Sequence, residues 1–188
     1  MRKLVLFMMT SADGYYEAPG HNIDWHNVDA DFNTFAIEQL NSVDVILFGR
    51  ATYALMVSYW PTAQAAADDP EVTHLMNTKA KLVISDSLER ADWANTRLIR
   101  RDQAAAELAA LKQQPGQDLI LMGSGDLATA LAAQGLVDEF RLMVAPVALG
   151  AGKSLFTGLP HQQKLTLIKS TTFRSGNVLL CYAPAAGA

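Results

Sequence analysis

Apolar stretches of strand length recur along the chain at 3 to 9, 43 to 48, 81 to 85, 118 to 122 and 139 to 145, with a shorter one at 97 to 100. They are rich in Val, Ile, Leu and Met and are continuous rather than alternating, the pattern of strands covered on both faces. Helix-period segments fall between them. Residues 28 to 42 set Phe32, Phe35, Ala36, Leu40 and Val43 on one stripe. A second helix is expected over 102 to 113, with Asp102 as N-cap before AAAELAALK, and a third from Asp126 to a glycine stop at Gly135. Towards the end, KLTLIKSTTF and NVLLCY flank RSG, which predicts an antiparallel hairpin. Strands alternating with helices and then a closing hairpin predict an α/β sandwich around a mixed, mostly parallel sheet of about eight strands. The segment PTAQAAADDP, 61 to 70, is too long for a tight turn and reads as a flap or a short helix with loose ends.

Composition narrows this further. With 188 residues, 50% hydrophobic and 18% charged, the chain suits a single domain with one sizeable core. That domain is expected over 1–182, and residues 183–188 (APAAGA) as a flexible tail. A net charge of -4 offers no basic field for nucleic acid or anionic lipid, so any bound anion must be met locally. Cys181 is the single cysteine, which rules out an intrachain disulfide framework or a multi-cysteine zinc site, and it reads as a buried strand residue. The start, MRKLVLFMM, has the positive residues of a signal peptide but no cleavage pattern, and is read as the first strand. No apolar run reaches transmembrane length, so the expectation is a soluble cytoplasmic protein.

The chemistry gathers where strands give way to helices. ILFGRATY ends a buried run with Gly49 and opens a helix with Arg50 and Thr52. Helix N-termini present unpaired N–H groups and positive potential, and an arginine fork holds two phosphate oxygens at once. The other reading is a plain turn glycine with a solvated arginine. Gly123-Ser124-Gly125 follows the DLILM run and opens a second helix, so glycines again let an anion approach the main chain. Ser85, ending KLVIS, places a hydroxyl at a third strand end. LGAGKS at 149 to 154 imitates a phosphate loop, but Val147 stands where that loop needs a glycine. His21, Asp24 and His26 lack metal-ligand spacing, and no metal is expected.

These pieces in this order resemble the dihydrofolate reductase-like family, in the branch of the reductase domain of the riboflavin-biosynthesis deaminase-reductase. TSADGYYEA, Asp24-Trp25, ILFGRATY, KLVIS, LILMGSGDL and GLVDEFRLMVAPVALGAGKSLF carry the resemblance across nearly the whole chain. It implies a dihydrofolate reductase-like three-layer sandwich and an NADP(H) cofactor lying across the strand ends. Arg50, Thr52 and Ser85 with Gly49 would grip the 2′-phosphate or nearby phosphates, while Gly123, Ser124, Gly125 and the N–H of Leu127 would cradle the pyrophosphate. The reaction implied is hydride transfer to a C=N or C=O of a small heterocyclic or ribosyl-pyrimidine-like substrate. The alternative is a non-catalytic NADP-binding or redox-sensing protein with the same grip. Asp13 and Asp31 are the candidate proton relays, since a carboxyl in an apolar cleft can have its pKa raised; each also reads as a simple turn or helix-start acid. Trp25, Phe35 and Met56, with Tyr59 and Trp60, are candidates for a flat substrate slot, or for core. Relatives usually carry an acid where this chain has Ala54, and dihydrofolate reductases proper have a triple glycine where it has Gly-Ser-Gly. A homodimer is the assembly the resemblance suggests.

Overall fold

The computed structural model describes residues 1–185. Its elements are β1 (Leu4–Ser11), β2 (Tyr15–Glu17), α1 (Ala30–Asn41), β3 (Val43–Gly49), α2 (Arg50–Tyr59), α3 (Ala63–Asp68), α4 (Pro70–Thr78) and β4 (Ala80–Ile84). There follow β5 (Thr96–Ile99), α5 (Ala104–Gln113), β6 (Asp118–Met122), α6 (Gly125–Ala133), β7 (Glu139–Ala145), β8 (Lys153–Ser154), β9 (Leu165–Thr172) and β10 (Val178–Pro184). An 8-stranded sheet runs in the order β5-β4-β3-β6-β1-β7-β10-β9. Neighbours from β5 to β7 are parallel, and β10 is antiparallel to both β7 and β9.

The continuous apolar runs of β1, β3, β4 and β6 have the double burial they predict, whereas β5 and β7 are only partly buried. On one face Leu4, Leu6, Leu119 and Leu121 meet Leu108 of α5 and Leu127 and Leu131 of α6. On the other, Val5, Ile46, Phe48 and Ile120 meet Leu40 of α1, Tyr53 of α2 and Val72 and Met76 of α4. Each fully buried Leu, Ile or Phe contributes roughly 1.5–3 kcal/mol, so these layers supply the main driving force. Cys181 is 6% exposed beside Met143 and Leu179, as a small buried strand residue should be.

Several boundaries differ from expectation. α1 is capped by the Asp29 carboxylate, which accepts from the Phe32 N–H at 2.8 Å, and Val43 belongs to β3 rather than to the helical stripe. Asp102 does not cap α5; it lies in a 3-10 turn over Arg101–Gln103, whose start is held by Asp86 accepting from the Arg101 N–H at 2.9 Å. Segment 61–70 is no flap. Thr62 caps α3 through the Ala65 N–H at 3.1 Å and Asp69 caps α4 through the Val72 N–H at 3.0 Å, so the ends are fixed. β10 runs past the expected boundary at 182 to Pro184, and the Ala185 N–H donates to the Lys164 carbonyl at 2.9 Å. The rest of the expected tail, 186–188, lies outside the described residues.

The topology fixes where a ligand can enter. From β3 the chain turns into α2 on one face, whereas from neighbouring β6 it turns into α6 on the other. Adjacent parallel strands feeding opposite faces leave a crevice beyond their carboxyl ends. The crevice is deepened because β6 stops at Met122, paired with Phe7, while β1 continues to Ser11 along β7.

Candidate functional site

The segments that form the crevice floor are remote in sequence and tied together. Ser124 Oγ accepts from the Gly49 N–H at 2.8 Å and donates to Thr52 Oγ1 at 2.8 Å. This small knot joins the first turn of α2 to the entry of α6. Ser124 can aim its hydroxyl this way because Gly123 and Ser124 both take left-handed backbone, at φ 61° and 59°. Such a conformation costs a non-glycine residue about 1–2 kcal/mol. A β-carbon on Gly49 would lie 2.6 Å from Ser124 Oγ, so glycine is needed there for the knot itself.

Both helices start without a side-chain cap. By contrast α1, α3 and α4 are capped by Asp29, Thr62 and Asp69. The first-turn N–H groups of α2 and α6, including that of Leu127, therefore have no side-chain acceptor from the protein. The side chain of Leu127 itself is buried in the core. Arg50 opens α2 and is exposed. Among the described residues every other arginine is engaged by a carboxylate or a carbonyl, and Arg50 by none.

The remaining candidates have other duties. Ser85 follows Ile84, the partner of Gly49, so it lies near the start of α2. It is 3% exposed, and its hydroxyl accepts from the N–H groups of Ser87 and Leu88, both at 3.2 Å. It shapes the turn beside Arg50. Asp13 accepts from the Leu149 N–H at 3.0 Å and the Gly150 N–H at 2.7 Å. Chiefly the Leu149 hydrogen bond, with those of Ser11 and Gly150, holds its pKa down at about 2. Asp31 forms a fork-to-fork pair with Arg174, at 2.8 and 2.6 Å, and that hydrogen-bonded guanidinium lowers its pKa. Both pKa values are thus lowered rather than raised, because Asp13 straps the turn after β1 to Leu149 and Gly150, and Asp31 straps the first turn of α1 to the turn that carries Arg174.

Nor do the aromatic candidates form one slot. Phe35 packs with Phe7, Phe32 and Phe173 at ring separations of 5.7, 6.3 and 5.9 Å. Met56 accepts from the Trp60 indole N–H at 3.1 Å, against the core under α2. Trp25 is half-buried edge-on to His26, 4.5 Å away. Burial keeps His26 neutral by pushing its pKa down to about 4. Among the described residues no three ligating side chains group as a metal site, and no helix is long and apolar enough to cross a membrane.

A two-stranded ribbon at the crevice carries no expectation from the sequence. β2 pairs with β8, a pairing reinforced by the Lys153–Glu17 ion pair at 3.1 Å. The phosphate-loop mimic LGAGKS supplies the β8 strand of this ribbon: the Gly150 N–H donates to Asp13, and a β-carbon on Gly152 would lie 2.1 Å from the Glu17 carbonyl oxygen. Between the paired residues Tyr16 reaches Gly125, and burial first, then the charges of Asp126 and Glu17, push its phenol pKa up to about 12. The signal in the sequence is the aromatic pair Tyr15-Tyr16 beyond a turn glycine, a weak one.

An eight-stranded mixed sheet with helices on both faces, a closing antiparallel pair and this crevice define the dihydrofolate reductase-like fold. The chain belongs to the RibD C-terminal domain family, which matches residues 2–179. It is similar to the uncharacterized protein YyaP of Bacillus subtilis, with 34% identity over 183 residues, covering 96% of this chain and 94% of that protein. In fold it is similar to the crystal structure of the putative riboflavin biosynthesis protein from Shewanella sp. PV-4, with TM-score 0.71, 22% identity and coverage of 97% and 99%. It is likewise similar to Enterococcus faecalis dihydrofolate reductase complexed with NADP(H), with TM-score 0.63, 11% identity and coverage of 97% and 96%.

Proposed function

We propose that this protein is an NADPH-dependent reductase that transfers a hydride to a C=N or C=O of a small heterocyclic or ribosyl-pyrimidine-like substrate. Membership of the RibD C-terminal domain family supports the class. The observation that carries the cofactor reading is the pair of uncapped helix starts, knotted through Ser124, with Arg50 the one arginine left without a partner among the described residues. NADPH, when bound, supplies the hydride. The N–H groups of Gly125, Asp126 and Leu127 accommodate the pyrophosphate, and those at the start of α2 with Arg50 take the adenosine-side phosphate. Thr52 Oγ1 accepts from Ser124, which leaves its own proton to donate to a phosphate oxygen. Gly49, Gly123 and Ser124 position these donors, and Ser85 holds the neighbouring turn. Trp25, Phe35 and Met56 serve as walls at separate places, not as one slot.

Neither Asp13 nor Asp31 is a proton donor near neutrality, since both pKa values are lowered. On this reading the proton that accompanies the hydride is drawn from solvent rather than from either acid. The same finding favours the second reading, a sensor that binds NADP(H) without turnover. The exposed edge strand β9, with Leu167 at 51% and Ile168 at 56% exposure, suits a homodimer, which sedimentation would test.

Titration of the purified protein with NADPH, followed by nicotinamide fluorescence, tests the cofactor reading. Arg50→Ala should weaken binding roughly 10- to 100-fold, the worth of a charge-assisted hydrogen bond, and should affect NADPH more than NADH. Failure of the unaltered protein to bind NADPH, or equal binding by the variant, overturns it. Oxidation of bound NADPH by pterins or ribosyl-pyrimidines separates enzyme from sensor.

A further inference from the structure

The short strand β2 carries Tyr16 directly onto the start of α6. An ideal β-carbon at Gly125 would fall 2.2 Å from Tyr16 Cζ, 2.4 Å from Cε1 and 2.5 Å from the phenol oxygen. The tip of the ring therefore rests on the Gly125 α-carbon, at the first position of an uncapped helix. The arm that holds it is pinned at several points. The Tyr15 N–H donates to Ser11 Oγ at 2.9 Å, the Ala12 N–H donates to the Val147 carbonyl at 2.7 Å, and Glu17 is paired with both Lys153 and His21. Tyr16 is not free to swing away while these contacts hold.

Its hydroxyl has no hydrogen-bond partner among the described residues, and neither do the first N–H groups of the helix beneath it. Donors laid beside donors are matched only by an acceptor from outside the protein, and one with several oxygens satisfies them together. Water serves when nothing else is there. Burial first, and then the charges of Asp126 and Glu17, raise the phenol pKa further above neutrality, so Tyr16 is a protonated donor at neutral pH.

We infer that Tyr16 is a clasp for the dinucleotide: its hydroxyl donates to a pyrophosphate oxygen seated at α6, and position 125 is glycine to seat the phenol ring. This rests on the NADPH reading above. It moves the explanation of Gly125 from ligand to protein, since the space a side chain would occupy is filled by Tyr16 and not by phosphate.

The test is equilibrium titration of the full chain with NADPH, and with inorganic pyrophosphate as competitor. Tyr16→Phe keeps the ring and removes the donor. It should weaken NADPH and pyrophosphate roughly 3- to 10-fold, with the NADPH-to-NADH preference and the ligand-free melting temperature unchanged. A purely structural tyrosine would instead lower the melting temperature and leave affinity alone. Gly125→Ala should weaken binding in the natural background and cost nothing further once Tyr16→Ala has vacated the space. No NADPH binding by the unaltered protein overturns the cofactor reading, and the clasp with it. Binding that Tyr16→Phe leaves intact overturns the clasp alone. Equal loss from Gly125→Ala with and without the Tyr16 ring shows that the glycine admits the ligand, and overturns the seat.

Discussion

Gly49 and Ser124 should be energetically inseparable. In Gly49→Ala the new methyl would stand 2.6 Å from Ser124 Oγ and 2.9 Å from its Cβ, with Leu127 Cβ next at 3.7 Å. The backbone at Gly49, φ -84° and ψ 170°, suits alanine without strain, so any penalty comes from the contact. Overpacking of this kind costs about 1–3 kcal/mol. Displacing the serine also endangers the Gly49 N–H bond and the link to Thr52, worth about 1 kcal/mol each. The single variant should lose roughly 2–4 kcal/mol. Ser124→Gly gives up the same hydrogen bonds but relieves a left-handed serine of about 1–2 kcal/mol, for a net loss near 1 kcal/mol. In the double variant the methyl enters the space that the serine left, its closest neighbour the ordinary contact with Leu127. The double variant should then be about as stable as Ser124→Gly, a coupling of roughly 2–4 kcal/mol where distant sites add within about 0.5 kcal/mol. Urea unfolding of the four proteins measures it. Strict additivity would mean that the two helix starts do not share this knot.

The crevice loops give further tests. Asp13 has its pKa lowered to about 2 from 3.8, so its stabilising contribution is present above the unfolded value and is lost as pH falls from about 4 towards 2. Asp13→Asn should flatten that part of a melting-temperature profile and increase hydrogen exchange at Leu149 and Gly150; an unchanged profile would refute the strap. His26, neutral with a pKa near 4, makes the fold lose stability as pH falls from about 6.5 to 4, because the unfolded chain binds the proton first. The ceiling is about 3 kcal/mol, and His26→Leu should remove the dependence in melts taken across that range. Asp31→Asn and Arg174→Gln should have matching effects on turnover if Asp31 is a strap. A large loss from the first alone would make the acid catalytic.

What was legible in the sequence is what short stretches determine. The buried strands were readable because burial on both faces leaves a continuous apolar run, and the strand-to-helix turns at Gly49 and Gly123-Ser124-Gly125 because a glycine there separates such a run from a helical one. Asp13 and Asp31 show the limit. Each is locally a turn or helix-start acid, and each pKa is set by partners 136 and 143 residues away, in turns that no spacing rule links to them. The ribbon of β2 and β8 was hidden for the same reason: three residues pairing with two leave no periodicity to detect. Once paired, it gives LGAGKS a role its composition alone misstates.

The site also explains how a chain of net charge -4 could hold a ligand as anionic as NADPH. On the proposed reading the pyrophosphate is met by peptide N–H groups and hydroxyls, which carry no net charge and which NADH would use equally. The only formal positive charge committed at the start of α2 is Arg50, so discrimination for the additional phosphate should reside there, while general dinucleotide affinity resides in the knot and at Tyr16. Loss of Arg50 should then erode the preference before it abolishes binding, and loss of the Tyr16 hydroxyl should do the reverse. If both variants changed NADPH and NADH affinity by the same factor, this division between charge and neutral donors would be wrong even with the cofactor correctly identified.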